Sequence, residues 1–256
     1  MYSLKESKMS FEDMFLEIAD RNRIKKYNFV LYRPEHLDYW EGDLPQTTIA
    51  HVMVPSGYFK GKSLRDMEAQ LNSAVMEHFK GYDIEKGLFG IDFGDVEKAD
   101  PRIKVTFPDY EETPSNWDVR VGCFGVNSLC VTNNKWKHMK HIDFGILSPP
   151  HKEGFGICYD KILKEFEDIR PGDGWLVHSG NSFHFHGKNI MDHTEWVKYM
   201  DMLYEQTAKP GTTLDDCWPY LQLERNHSIL RVEKSELHTQ KPEIIGEIIE
   251  QPGLFD

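Results

Sequence analysis

His141-Ile142-Asp143-Phe144-Gly145-Ile146-Leu147 alternates apolar and polar side chains, and further on Ser182-Phe183-His184-Phe185-His186-Gly187 does the same. Alternation of this kind marks a strand with two unlike faces, because successive side chains point to opposite sides of a sheet. In the first run Ile142, Phe144 and Ile146 share the apolar face, leaving His141, Asp143 and Gly145 on the other. In the second, Phe183 and Phe185 oppose Ser182, His184 and His186. A third run, Ser228-Ile229-Leu230-Arg231-Val232, sets Arg231 against Leu230 and Val232. The polar faces are expected to look into a cleft or solvent. A carboxylate that can hold a divalent ion, with imidazole and guanidinium donors for phosphate oxygens, is the equipment of metal-assisted phosphoryl chemistry.

Outward from these strands, helical and strand signals alternate. HIDFGIL leads through SPPHKEGFG into a helix near 158–169, and WLVHS (175–179) precedes the His184 strand. The glycine-bearing Ser179-Gly180-Asn181-Ser182 turn between them brings backbone N–H groups close to His184. A helix at 193–206, a short helix at 214–224 and the strand 228–233 follow. Upstream, Ser10-Phe11-Glu12-Asp13 reads as a capped helix start, with Phe11, Met14, Phe15 and Ile18 at helical spacing. Strands are expected at 27–32 and 47–54. Ser63 caps a second helix with the stripe Leu64, Met67, Leu71, Val75 and Phe79. Shorter β runs fall at 88–93, 102–107, 118–126 and 128–132, with a tight turn at Asn127-Ser128. The pattern predicts an α/β or α+β protein of two fused lobes. The acidic, proline-punctuated last 20 or so residues read as a loosely held tail.

Composition narrows the function classes. The chain has 256 residues, enough to bury a large core, and 39% hydrophobic with 12% aromatic residues excludes general disorder. The net charge of -12 excludes a broad electrostatic grip on nucleic acid, so any such role needs a local patch. Lys135-Trp136-Lys137-His138-Met139-Lys140-His141 is such a segment, basic with an aromatic, read as a loop that could stack and steer a strand. No apolar run reaches the ~18–20 residues that cross a bilayer, so no membrane association is expected. MYSLKESKMSFEDMF lacks the features of a secretory signal, and Cys123, Cys130, Cys158 and Cys217 form no C-x-x-C pair. The expectation is cytoplasmic residence with reduced thiols.

The ordered motifs of the second half resemble the archaeo-eukaryotic primase superfamily, the primase-polymerases. HIDFG is similar to the first motif, an acid-ended strand, at Asp143; Ser179-Gly180-Asn181-Ser182-Phe183-His184 is similar to the second. Asp215-Asp216-Cys217-Trp218 followed by Ser228-Ile229-Leu230-Arg231-Val232 is similar to the third. The resemblance implies an N-terminal α/β lobe over 1–135, an RRM-like palm over 136–235 and the acidic tail over 236–256. It implies Mg²⁺ or Mn²⁺ held by Asp143 with Asp215 or Asp216, and Asp143, Asp215 and His184 as the catalytic set. Ser179, Gly180, Ser182, His184 and Arg231 would bind the phosphates of a nucleoside triphosphate, and the other partner would be a single-stranded DNA template. One position departs from the pattern: Gly145 stands where the second acid of the first motif belongs. Asp92 and Asp95 are alternative donors, read as structural.

Two other readings compete. His184-Phe185-His186 is also the His-hydrophobic-His motif of rolling-circle nickases, which need a nucleophilic tyrosine, here Tyr199 or Tyr204. Gly145 and the acidic charge instead fit a non-catalytic replication adaptor that binds single strands or a partner. Finally, Gln251-Pro252-Gly253-Leu254-Phe255-Asp256 resembles the peptide that binds the bacterial sliding clamp, with Gln251, Leu254 and Phe255 as anchors on a flexible tether.

Overall fold

A computed structural model describes residues 1–32, 48–78, 102–106, 123–145, 155–180, 182–233 and 240–251. In chain order the elements are β1 (Tyr2–Glu6), α1 (Phe11–Asn22), β2 (Ile24–Tyr32), β3 (Thr48–Pro55), a 3-10 helix (Ser56–Lys60) and α2 (Leu64–His78). Then come β4 (Lys104–Thr106), β5 (Cys123–Thr132), β6 (Lys135–Asp143), α3 (Phe155–Ile169), β7 (Gly174–His178) and β8 (Phe183–Met191). The chain ends with α4 (His193–Thr207), α5 (Trp218–Arg225), β9 (Ile229–Arg231) and β10 (Glu243–Glu250). The β runs at 88–93 and 118–122, with Asp92, Asp95 and Phe79, lie outside the described residues.

The architecture is mixed α/β, built on one large antiparallel sheet in the order β1-β10-β7-β8-β6-β5-β2-β3-β4, with β9 paired to β5. Local chemistry explains the elements. Ser10 caps α1 by accepting from the Asp13 amide at 3.1 Å, and Phe11, Met14, Phe15 and Ile18 are all buried. Asp192 and Glu195 form a reciprocal capping box at the start of α4.

Helices cover both faces of the sheet. Trp175 and Val177 of β7 pack in one core cluster with Phe11 and Phe15 of α1. Leu176, between them, packs in a second cluster with Phe166 of α3 and Trp196 of α4. Since neighbouring strand residues face opposite ways, α1 lies on one side and α3 and α4 on the other.

Four sequence readings need correction. The last residues are no loose tail before Gln251: Glu243–Glu250 is a strand inserted between β1 and β7. Its Ile244 and Ile248 are buried, and backbone pairing on both sides outweighs the acidic composition. Asn127-Ser128 is no turn either. β5 runs through it as a bulge against Asn28, held by Ser128 N–H donating to Ser228 O at 2.7 Å. The turn comes six residues later, at Asn133-Asn134, both with positive φ (33° and 65°), as a tight hairpin requires. Lys135–Lys140 is therefore strand, the first two-thirds of β6, and not a loop.

The fourth correction concerns the polar faces. His141, His184 and His186 are as buried as the phenylalanines beside them. The face they share is covered by α1, whose Phe11 meets the His186 ring edge-on at 6.2 Å. In β6 and β8 alternation fixed which residues share a face, but not whether another element would cover it; in the third run β9 ends at Arg231, so Leu230 packs in the α3–α4 cluster and Val232 in the α1 cluster.

Candidate functional site

Asp143 ends β6, and the register of β6 on β8 sets it directly opposite His184. Nε2 of His184 lies 3.4 Å from Oδ1 of Asp143, whose side chain remains 25% exposed. Beyond β6 the chain keeps pairing through a bridge between Phe144 and Leu214. Gly145 N–H donates to Thr213 O at 3.0 Å, and Asp215 N–H donates to Asp143 O at 3.2 Å. This bridge carries Asp215 to Asp143 across 72 residues of sequence. Burial pushes the Asp143 carboxyl well above its ordinary range, and the Asp215 charge pushes it further, against a smaller opposing effect of Arg231.

Asp215 also has a structural duty. Its Oδ1 accepts from the amides of Trp218 (2.8 Å) and Cys217 (3.1 Å), binding the free N–H groups at the start of α5. That leaves Oδ2 outside the cap. Asp216, one residue on, is exposed.

The Ser179–Ser182 turn closes with Ser179 N–H donating to Ser182 O at 2.9 Å, and Gly180 takes a φ of 108° that disfavours a side chain. The Ser182 hydroxyl reaches the carbonyl oxygens of Phe144 and Gly145. With one proton it serves one of them at a time, so this hydroxyl fastens the turn to the end of β6. Arg231 is buried and donates to the carbonyls of Ser179, Glu233 (3.0 Å) and Gln240 (3.0 Å). It braces the turn from behind while its charge still reaches Asp143.

Sequence reasoning missed Glu165. This buried α3 carboxylate accepts from the Thr213 amide (2.9 Å), the Thr212 hydroxyl (3.2 Å) and the Gln206 side chain (2.7 Å). It fixes the segment that presents Asp215. The only sequence signal was an acid beside Phe166, near the apolar side of the helix.

Among the described residues, neither tyrosine of the nickase reading meets the histidines. Tyr199 of α4 is buried in the cluster on the Phe185 side of β8, across the sheet from His184 and His186. Tyr204 is exposed, next to Tyr220. Neither tyrosine is on the face that carries the histidines. Among the described residues no three His, Cys, Asp or Glu side chains are grouped to hold a metal ion.

Residues 121–243 match the family model described as AEP-like, archaeo-eukaryotic primase 1D-like. Those residues, just under half of the chain, are similar to an archaeo-eukaryotic primase-like domain. No curated protein and no solved structure matches the chain. The matched range spans β5 through β9 and takes in Asp143, the Ser179 turn, His184, Asp215 and Arg231. Strands β2 and β3, outside the matched range, continue the same sheet. No helix among the described residues is long and apolar enough to cross a membrane.

Proposed function

We propose that the protein is a primase-polymerase performing metal-dependent nucleotidyl transfer on a single-stranded DNA template. In this reading residues 136–235 are an RRM-like palm, 1–135 an N-terminal lobe sharing its sheet, and 236–256 a partner-binding end. The observation that carries it is the meeting of Asp143, His184 and Asp215, made by strand register and the 213–215 bridge.

Asp143 and Asp215 would be the two carboxylates for one divalent ion. Mg²⁺ is commonly held by one or two carboxylates, with water and substrate phosphate completing its shell. Two carboxylates close enough to raise the pKa of Asp143 favour a cation between them. Mg²⁺ or Mn²⁺ held by Asp143 and Asp215 would supply charge neutralisation on the triphosphate. His184 donates from Nε2 to a phosphate oxygen, and the Ser179–Ser182 turn offers backbone N–H groups beside it. Arg231 and Ser182 act one step back, keeping the turn in place. The reaction joins a 3′-oxygen to the α-phosphorus as the bond to pyrophosphate breaks.

Incorporation of labelled nucleotide on a single-stranded template, with Mn²⁺ or Mg²⁺, tests the reading. Gly145 favours the adaptor as second reading, because the position lacks the motif's acid. The two separate through Gly145→Asp. A Cβ at 145 would lie 3.5 Å from Leu214 O and 3.7 Å from the Asp215 Cα, ordinary contact distances. The variant should fold and bind Mn²⁺ on the order of tenfold more tightly, since ligand charge sets affinity. Metal binding and incorporation both absent, before and after the change, would leave the adaptor.

The C-terminal peptide is proposed to bind a bacterial sliding clamp. The Gln251 side chain donates to the Ser3 hydroxyl at 2.9 Å, and its N–H to Met1 O at 2.8 Å, so Gln251 is tied to β1, the edge strand beside β10. Leu254 and Phe255 lie outside the described residues. Replacing both with Ala should weaken clamp binding by about 2 kcal/mol or more in a titration, as apolar anchors do. Unchanged binding, or none by the parent, would remove the proposal.

A further inference from the structure

Charge is unevenly distributed over the sheet. Strands β2 to β6 carry Lys25, Lys26, Lys104, Lys135, Lys137 and Lys140 against a single acid, Asp143, in a chain of net charge -12. Register sorts these residues by face. Trp136 lies opposite Val131, Val131 opposite Lys26, and Lys26 opposite Pro55, so the four share one face across β6, β5, β2 and β3. Met53, two residues before Pro55, joins the same face and is paired to Lys104.

This face is open. Trp136 is 55% exposed, the largest aromatic surface among the described residues, and Lys26 and Lys104 are exposed as well. It is also a different place from the Asp143 centre. His138, two residues from Trp136, stacks on Trp196 of α4 at 4.5 Å, so Trp136 is on the α4 side of the sheet. Asp143 lies opposite His184, which pairs with Val177 in the cluster on the α1 side. Seven residues of strand also separate the two, about 23 Å at a strand's rise.

We propose that this face is a docking surface for single-stranded DNA, with Trp136 stacking a base and Lys26 and Lys104 meeting phosphates. An indole accepts any base through its π-face, and isolated lysines neutralise a backbone without reading sequence. From Trp136 to Lys104 the face crosses four strand spacings, about 20 Å, the reach of a few unstacked nucleotides. Among the described residues these strands bring a single acid to the sheet, Asp143, and it lies on the other face. The proposal rests on the polymerase reading only for the strand being DNA, and it assigns a hold on that strand away from the reacting centre.

The test is anisotropy titration of the full chain with a labelled oligothymidylate of about 20 nucleotides, longer than the ~4–16 that such sites cover, without metal or nucleotide. Trp136→Ala should weaken binding by about tenfold or more, and Trp136→Tyr should restore most of it. Lys26→Gln with Lys104→Gln should lower the slope of log affinity against log salt by about 1.4. Affinity indifferent to Trp136→Ala, or equal affinity for duplex DNA, would overturn the proposal. Binding through Trp136 without incorporation would fail the polymerase reading and leave this surface standing. Incorporation by a protein whose DNA affinity ignores Trp136 would do the reverse.

Discussion

Asp143→Asn should lower nucleotide incorporation by about a thousandfold or more, and the same change should raise the melting temperature. In the proposed reading the loss follows from removing a carboxylate that would help neutralise a triphosphate, a contribution of several kcal/mol in comparable electrostatic sites. The gain in stability follows from the raised pKa. A partly buried carboxyl whose folded-state pKa exceeds the unfolded value of about 3.9 costs the folded protein nothing below that value. The cost appears as pH rises toward the folded pKa and is fully present above it. Asparagine carries no charge and avoids it. For a protein of this size each kcal/mol recovered is worth about 2–4 °C. Thermal unfolding of both proteins at pH 7 and near pH 4 checks the sign: the difference should be present at the higher pH and shrink at the lower. A variant less stable than its parent at pH 7 would mean that Asp143 is held by favourable contacts and is not a strained ligand.

Acid should unfold the protein well before its carboxylates titrate. Burial lowers the pKa of His186 to about 3, and burial with the neighbouring His193 and His227 lowers His138 to about 3. His227 falls to about 4, mainly by burial, and His141 falls well below its usual value for the same reason. In the unfolded chain each protonates near pH 6.5. The stability that neutral burial preserves is therefore complete above about pH 6.5 and is lost as pH falls toward the folded values. The slope is about 1.4 kcal/mol per pH unit for each histidine, so several acting together remove on the order of 5 kcal/mol by pH 5. That rivals the whole stability of an ordinary domain. Circular dichroism against pH should find cooperative unfolding near pH 5. His186→Phe should move the midpoint to lower pH, because both ring nitrogens of His186 are buried without a hydrogen-bond partner beside Phe11. A midpoint that ignores this substitution would mean that His186 is solvated or protonated in the fold.

These two predictions rest on features with different legibility. The N-terminal helix, with Ser10 as its cap and Phe11, Met14, Phe15 and Ile18 as its buried stripe, could be read because both signals are local. The Phe183 and Phe185 face of β8 was readable for the same reason. β10 was not, because EIIGEIIE is acidic and becomes a strand only when β1 and β7 pair with it from either side. The bulge at Asn127-Ser128 was misread as a turn because polar residues in mid-strand look like a break. They are tolerated there because Ser228, a hundred residues away, accepts from the Ser128 amide.

In β6 and β8 the sequence by itself determined which residues share a face, because the period is a property of the local chain. Only the tertiary structure decided how those faces are used. It covered the histidines with α1, turned Arg231 and the Ser182 hydroxyl toward carbonyl oxygens, and left Trp136 and Lys26 open on the opposite face. It also joined Asp215 to Asp143 through a bridge that Glu165 holds in place from α3. Each of these depends on a partner distant in sequence, and burial and hydrogen bonding are settled between elements and not within them.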